Sequence, residues 1–176
     1  MIRPTLLALS IALAASGCSS MSVRSQTATA QLLPTKGNAV NGTVSFIQKG
    51  DVMLVEARVT GLTPGPHGFH VHERGNCTAP DASSAGGHFN PGGSAHGGPG
   101  TAAHHAGDLG NLEADASGTA VYKAEVSALT LSGERSIIGR SVIVHEKADD
   151  LTTQPSGNSG ARIACGLISK GPDKWF

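Results

Sequence analysis

Residues 67–73 read His67-Gly68-Phe69-His70-Val71-His72-Glu73, and the interpretation of the whole chain starts from this stretch. Successive side chains of a β-strand point to opposite faces of the sheet. His70 and His72 therefore share one face, while Phe69 and Val71 share the other and can enter an apolar core. The pattern predicts a strand that presents two imidazoles from a rigid backbone, which is half of a metal site.

The other histidines support a metal site. A lone histidine is more often a surface or core residue than a ligand, but imidazole is the commonest metal ligand in proteins. A cluster of histidines on a strand, a glycine-rich loop and a second strand therefore favours metal binding. All eight histidines lie within one part of the chain, at His67, His70, His72, His88, His96, His104, His105 and His145.

Short runs rich in β-branched residues recur along the chain, separated by turn residues. The turns Lys49-Gly50-Asp51 and Ala116-Ser117-Gly118 predict two hairpins. No ten-residue window has a helical stripe, and no repeat is visible. The sequence predicts an all-β sandwich or flattened barrel with strands at Thr43–Ile47, Val52–Val59, Gly68–His72, Thr119–Val126, Ser141–His145 and Arg162–Ile168.

Two long connections interrupt the strands. The first, Arg74–Leu109, is rich in glycine and holds four of the eight histidines. Ordering so much glycine is costly in conformational entropy, and a bound ion would supply the ordering free energy. The second, Glu146–Ala161, has four charged residues followed by serine, glycine and asparagine. By composition alone, the second connection is a solvated surface loop.

The chain opens with a segment that we do not expect in the mature fold. A positive start at Arg3 leads into the apolar run Leu6–Ala15 and then into Ser16-Gly17-Cys18. This order is typical of a secretory signal peptide, and residues 15–18 resemble a bacterial lipobox, with alanine where leucine is usual. We predict a signal peptide at 1–17 cleaved before an acylated Cys18, a flexible tether at 18–29, and one domain at 30–176.

Charge and cysteine content narrow the function classes. The chain has 13 basic and 13 acidic residues, and removal of residues 1–17 takes away only Arg3, leaving 12 basic residues. A chain with balanced charges lacks the excess of positive charge by which proteins bind nucleic acid.

If Cys18 carries lipid, Cys77 and Cys165 remain as a pair that an oxidising compartment would join in a disulfide. Two buried free thiols are the alternative.

Six segments, in order, are similar to the successive signatures of the copper/zinc superoxide dismutase family. The similarity extends from about Ala30 to Ile168. It implies a Greek-key flattened β-barrel of about eight antiparallel strands with two long functional loops. The segments are Gly68-Phe-His-Val-His-Glu73, Gly87-His-Phe-Asn-Pro91, His96-Gly-Gly98, His105-Ala-Gly-Asp-Leu-Gly-Asn111, Val144-His-Glu-Lys-Ala-Asp-Asp150 and Gly157-Asn-Ser-Gly-Ala-Arg-Ile-Ala-Cys-Gly166.

The resemblance also implies roles for individual residues and one copper and one zinc ion per subunit. His88 would join the two ions, Asp149 would accept hydrogen bonds from His70 and His96, and Arg162 would hold a small anion beside copper. No ligand role falls to His67, expected to form hydrogen bonds within the barrel, or to His104, expected on the solvent side. The implied copper ligands are His70, His72, His88 and His145, and the implied zinc ligands are His88, His96, His105 and Asp108.

The implied activity is conversion of superoxide to oxygen and hydrogen peroxide by alternating reduction and oxidation of the histidine-bound copper, with His88 carrying a proton. The alternative is a lipoprotein that buffers or delivers copper and zinc without turnover. A zinc hydrolase would need an open zinc position, which Asp108 closes. We expect a location on the periplasmic side of a bacterial membrane, with the outer membrane favoured, or otherwise periplasmic or secreted. Monomer and homodimer both remain open.

Overall fold

The computed structural model describes residues 24–172, 174 and 175, so the predicted signal peptide and Cys18 lie outside the described residues. Within this part of the chain, eleven strands and one short 3-10 helix at Ser83–Ala85 are present. The strands are β1 (Arg24–Ser25), β2 (Thr27–Pro34), β3 (Asn41–Lys49), β4 (Val52–Thr60), β5 (Gly65–His72), β6 (Asp108–Ala114), β7 (Ala120–Val126), β8 (Ser141–His145), β9 (Arg162–Leu167), β10 (Ser169–Lys170) and β11 (Lys174–Trp175).

Eight antiparallel strands form a closed barrel. Their order is β2-β3-β4-β7-β6-β5-β8-β9, and pairing of Leu33 on β2 with Cys165 on β9 closes the circle. Strands β5, β6 and β7 are consecutive neighbours, while β4 lies beside β7, which is a Greek-key order. The predicted all-β fold is confirmed. None of the described residues lies in a helix long and apolar enough to cross a bilayer.

Strand alternation places one face of β5 in the barrel core. Phe69 and Val71 are fully buried, and the Phe69 ring packs edge-on against Tyr122 of β7 at 5.3 Å between centroids. Burial of one such side chain stabilises the fold by about 1.5–3 kcal/mol. Because this face is fixed in the core, the opposite face of β5, with its two histidines, is fixed outside the barrel wall.

Both predicted hairpins are present. Lys49 pairs with Val52 across the first turn, and Ala114 pairs with Ala120 across the second. The first long connection ends slightly earlier than expected, because β6 begins at Asp108 and buries Leu109.

The expected tether boundary is wrong. We expected flexible chain through Thr29, but β1 and β2 occupy residues 24–25 and 27–34. Ala28 and Ala30 alternate into the core with 0% and 2% exposure, as expected for a strand. Alanine is small and only weakly hydrophobic, so this alternation does not stand out in the sequence. The described strands therefore begin at Arg24, within the segment expected to be a tether.

The C-terminal tail is joined to this first part of the domain. β10 pairs with the beginning of β2, and β11 pairs with β1. Between these short strands, the Gly171 amide donates to the carbonyl of Thr27 at 2.8 Å, and the Thr27 hydroxyl donates to the Pro172 carbonyl at 2.6 Å. The tail thus stabilises the segment that leads into β2.

The predicted disulfide is present between Cys77 and Cys165, which are separated by 88 positions. It joins the first long connection to β9, the strand that also carries Arg162. In the chain-entropy model, a bridge closing a loop of this length stabilises the fold by about 4 to 5 kcal/mol. The covalent bond therefore holds the glycine-rich connection against the barrel.

Candidate metal centre

Four histidines from three parts of the chain converge outside the barrel wall. His70 and His72 come from β5, His145 ends β8, and His88 lies in the first long connection beside His72, with which it forms an isolated β-bridge. One ligand atom from each lies within 4.8 Å of the others. All four residues are at least 91% buried by surface area.

Each ring in this group keeps one nitrogen without a hydrogen-bond partner. These atoms are Nδ1 of His70 and Nε2 of His72, His88 and His145. A buried polar atom without a partner costs free energy, so four lone pairs in one place fit a site that binds a cation. The sequence identified the residues, and the structure brings their free nitrogens together.

The other nitrogen of three of these rings is held by the protein. His70 Nε2 donates to Asp149 Oδ2 at 2.7 Å, His72 Nδ1 donates to the Gly86 carbonyl at 3.0 Å, and His145 Nδ1 donates to the Gly160 carbonyl at 3.3 Å. These bonds fix the tautomer and leave a lone pair on the nitrogen that faces the group. The rings are therefore oriented for a cation.

A second group shares His88 with the first. It consists of His88, His96, His105 and Asp108, again with ligand atoms within 4.8 Å of one another. His88 Nδ1 lies 2.8 Å from Asp108 Oδ1, and His96 Nδ1 lies 3.1 Å from Asp108 Oδ2. The two nitrogens of one imidazole thus belong to two groups: Nδ1 faces Asp108, whereas Nε2 has no partner.

Asp149 links the two groups. Its Oδ2 accepts from His70 Nε2 at 2.7 Å, and its Oδ1 accepts from His96 Nε2 at 2.9 Å. Asn111 holds the Asp149 backbone, with its side chain accepting from the Asp149 amide at 2.8 Å and donating to the Asp149 carbonyl at 2.9 Å. Asn111 ends one of the quoted motifs, but no role was predicted for it from the sequence.

The electrostatic environment keeps these groups in the forms that metals bind. Burial lowers the pKa of His145 to about 4 and also lowers the pKa values of His70 and His72 well below the ordinary value. Burial alone would raise the pKa of Asp108, but hydrogen bonds from His88 and from backbone amides outweigh it and lower that pKa to about 2. Neutral imidazoles and an ionised carboxylate are the ligand forms.

Arg162 stands at the opening above the first group. It lines a cavity of about 380 Å³ together with His72, His88 and His145. The Arg162 guanidinium donates to the carbonyls of Ala82 at 2.7 Å and Gly86 at 2.6 Å. Partial burial lowers its pKa, and the nearby carboxylate of Asp81 opposes that shift. An arginine remains charged at neutral pH, so the cavity has a fixed cation.

A larger cavity lies elsewhere. Its volume is about 590 Å³, and it is bordered by Leu33, Leu167 and the disulfide. Neither histidine group borders this cavity. The smaller cavity above His88 is the better candidate for chemistry, because it places a cation, Arg162, beside unpartnered ligand atoms.

The two histidines without a predicted ligand role are indeed apart from both groups. His67 is buried, and its Nδ1 and Nε2 each lie 2.8 Å from a backbone carbonyl, those of His145 and Thr63. His104 is partly exposed, and its Nδ1 donates to the His105 carbonyl at 2.7 Å.

Comparison with known proteins agrees with this geometry. The model of the family described as copper/zinc superoxide dismutase (SODC) matches residues 40–168. The chain belongs to the copper/zinc superoxide dismutase family. It converts superoxide to oxygen and hydrogen peroxide, and its cofactors are copper and zinc.

Three relatives show how far the similarity extends. An extracellular copper/zinc superoxide dismutase of Caenorhabditis elegans is 47% identical over 72% of this chain and 60% of its own length. Superoxide dismutase [Cu-Zn] 4 of Dictyostelium discoideum is 44% identical over 77% of this chain and 94% of its own length. Superoxide dismutase [Cu-Zn] 2 of Mesembryanthemum crystallinum is 46% identical over 74% of this chain and 88% of its own length. Metal buffering without turnover is thereby disfavoured.

Proposed function

We propose that copper is bound by His70, His72, His88 and His145, and that zinc is bound by His88, His96, His105 and Asp108. The convergence of four unpartnered nitrogens on one point carries the proposal. Four imidazole nitrogens are a set of donors that would suit Cu(II). Three imidazoles and one carboxylate are a set that would suit zinc.

The residues of the chain supply binding, orientation and a proton. Arg162 presents a rigid fork of N–H donors to a small anion in the cavity. His88 would carry a proton on Nε2 when that nitrogen is not bound to copper and would give it to the reduced product, while Nδ1 of the same ring lies 2.8 Å from Asp108 Oδ1. Asp149 and the carbonyls of Gly86 and Gly160 keep the other rings in one tautomer. When bound, copper supplies the change of oxidation state that superoxide conversion needs.

Loading the purified protein with metals tests these assignments. We expect one copper and one zinc per chain, and anomalous diffraction at the two absorption edges should locate the ions on either side of the His88 ring. Pulse radiolysis should show rapid superoxide decay in the loaded protein. A His88 ring that touches one ion or none, or a loaded protein that leaves superoxide decay at the rate in buffer, contradicts the proposal.

Gly157 offers a test of the contact between Asp149 and His96 that leaves every proposed zinc ligand unchanged. Its φ is +66°, and an added Cβ would overlap Asp149 Oδ1 and lie 2.7 Å from His96 Nε2. We expect Gly157→Ala to weaken zinc binding about ten-fold or more by displacing Asp149. Gly93→Ala is the matched control, because Gly93 has φ +64° but nothing within 4 Å of the added Cβ. Equal zinc affinities in a competition titration would contradict the expectation.

We also propose that the chain is a bacterial lipoprotein-type member of the family, exported by residues 1–17 and anchored in the outer membrane through acylated Cys18. The lipobox-like residues 15–18 support this. The first strand begins at Arg24, so six positions separate it from Cys18. Such a short connection spans at most about 20 Å, which keeps the domain close to the membrane. The nematode relative is named as extracellular, which is consistent with export.

Metabolic labelling tests the anchor. An alkyne fatty acid should label the wild-type protein in the membrane fraction, and Cys18→Ala should be unlabelled. The Cys18→Ala domain should keep its superoxide dismutase activity, because the barrel strands begin only at Thr27. A wild-type protein that is soluble and unlabelled would refute the anchor and leave export to the periplasm or medium.

We propose further that two copies associate through the surface around Leu33 and Leu167. These leucines lie on adjacent strands β2 and β9, are 60% and 48% exposed, and border the 590 Å³ cavity. An exposed apolar surface of this kind is costly in water and suits a self-complementary dimer interface.

Sedimentation velocity tests the dimer. Leu167→Glu should convert a wild-type dimer to monomer, because it places a charge in the apolar contact. Val121→Glu is the control, since Val121 is 71% exposed on β7, away from β2 and β9 in the barrel order. A wild-type protein that sediments as a monomer at micromolar concentration contradicts this proposal.

A further inference from the structure

The second long connection contacts the zinc-side group, which is the proposed zinc-ligand set His88, His96, His105 and Asp108, through Gln154. The Gln154 side-chain oxygen accepts from the His96 amide at 2.8 Å, and its Nε2 donates to the His96 carbonyl at 2.9 Å. A third bond, from Nε2 to the Thr152 carbonyl at 3.1 Å, orients the carboxamide. One primary amide thus satisfies both backbone groups of a single residue, as a neighbouring β-strand would do.

His96 needs this support more than its partners do. Asp108 lies at the start of β6, and the residue after His88, Phe89, exchanges backbone hydrogen bonds with Val71 and Gly107. His96 lies in irregular chain, three positions after Gly93 and directly before Gly97 and Gly98. Its backbone is therefore held by a side chain from another loop, 58 positions away.

The same loop holds the ring of His96. His96 Nε2 donates to Asp149 Oδ1 at 2.9 Å, so Gln154 fixes the backbone while Asp149 fixes the side chain. The two residues after Gln154, Pro155 and Ser156, line the cavity above the first histidine group. A contact at Gln154 therefore joins the cavity wall to the zinc-side group.

We infer that Gln154 is a positioning residue for His96, and that through Gln154 the retention of zinc and the order of the cavity wall depend on each other. The inference rests on the proposed role of His96 as a zinc ligand. Coupling is reciprocal, so zinc should favour the ordered state of Pro155 and Ser156 by the same free energy by which that order favours zinc binding. Gln154 acts on the backbone of His96 and not on its ring nitrogens.

Two substitutions separate the two hydrogen bonds. Gln154→Ala removes both. Gln154→Glu keeps an acceptor for the His96 amide but places a carboxylate oxygen against the His96 carbonyl. The matched control is Thr152→Ala on the same loop, because among the described residues the Thr152 hydroxyl donates hydrogen bonds to Asp150 and not to His96. Since Gln154 and Thr152 are both exposed, all three variants are expected to fold.

Zinc transfer from the metal-loaded protein to a chromogenic chelator is the first measurement. We expect transfer to be about ten-fold or more faster in Gln154→Ala and Gln154→Glu, within the range known for residues that orient metal ligands. Thr152→Ala should stay within two-fold of wild type. Substitution of Co²⁺ for zinc adds a spectroscopic measurement: the d–d bands should change in Gln154→Glu and remain as in wild type for Thr152→Ala.

Hydrogen exchange tests the coupling itself. The His96 amide should be protected in wild type and lose protection in Gln154→Ala, and removal of zinc from wild type should accelerate exchange in the segment around Ser156. Gln154 variants that retain zinc, the Co²⁺ spectrum and His96 protection at wild-type values overturn the inference while leaving the zinc ligands intact. A wild-type protein that binds no zinc at His96 overturns the proposed ligand set instead.

Discussion

Arg162→Ala is expected to slow superoxide decay about ten-fold or more, in the range by which a charged cleft accelerates association with an oppositely charged ligand. Among the residues that line the cavity above His88, Arg162 is the one with a fixed positive charge. Its guanidinium is anchored by the Ala82 and Gly86 carbonyls, so the charge and the remaining donors stay in place without reorganisation. Loss of the side chain removes both attraction and orientation.

Pulse radiolysis at several ionic strengths measures this effect. The wild-type rate should fall as salt rises, because salt screens the attraction of superoxide to Arg162, and the rate of Arg162→Ala should depend less on salt. Arg162→Lys should lie between the two, since lysine keeps the charge but loses the planar fork. Copper and zinc contents should remain close to wild type. A fully loaded Arg162→Ala protein with an unchanged rate would remove Arg162 from the mechanism.

Asp149→Asn is expected to weaken binding of both metals by about 10- to 100-fold, the usual effect of losing a group that orients metal ligands. Asp149 accepts hydrogen bonds with both oxygens, one from His70 and one from His96. An amide has one oxygen and one NH₂ group, so it can accept from one ring but must present a donor to the other. One of the two groups therefore loses an oriented imidazole.

Metal competition titrations measure this loss, and a neighbouring residue provides the control. Asp150 is exposed, and its carboxylate accepts hydrogen bonds only from Thr152 and Thr153, which lower its pKa to about 2. Asp150→Asn makes the same chemical change one position away and should leave metal affinity at the wild-type value. Equal affinities in Asp149→Asn and Asp150→Asn would show that the carboxylate at 149 has no orienting role.

Strand alternation explains why much of the fold could be predicted. In β5, a period of two fixes which side chains enter the core, and this period is visible in Phe69, His70, Val71 and His72. The hairpin turns depend on glycine at positions that need positive φ, such as Gly50 at +59°. These signals are local. Strand β2 was not predicted, because its inward residues Ala28 and Ala30 are too small to form a hydrophobic pattern.

The supporting contacts of the metal centre follow a different rule. Asp149 reaches His70 across 79 positions, and Gln154 reaches His96 across 58. Asp149 could be assigned from the sequence only through a family resemblance, and Gln154 was not assigned at all. The residues around both positions are polar and small, as in an ordinary solvated loop, and polar side chains in such a loop usually face water.

The sequence by itself determined the β-strand period, the residue types able to bind metal and the family to which they are similar. Only the tertiary structure decided which nitrogen of each ring is free, that the tail Ser169–Trp175 completes the entry to β2, and that the second loop holds His96. The reason is physical: side-chain alternation and turns depend on neighbours in the chain, whereas ring orientation depends on groups that meet only when the barrel closes.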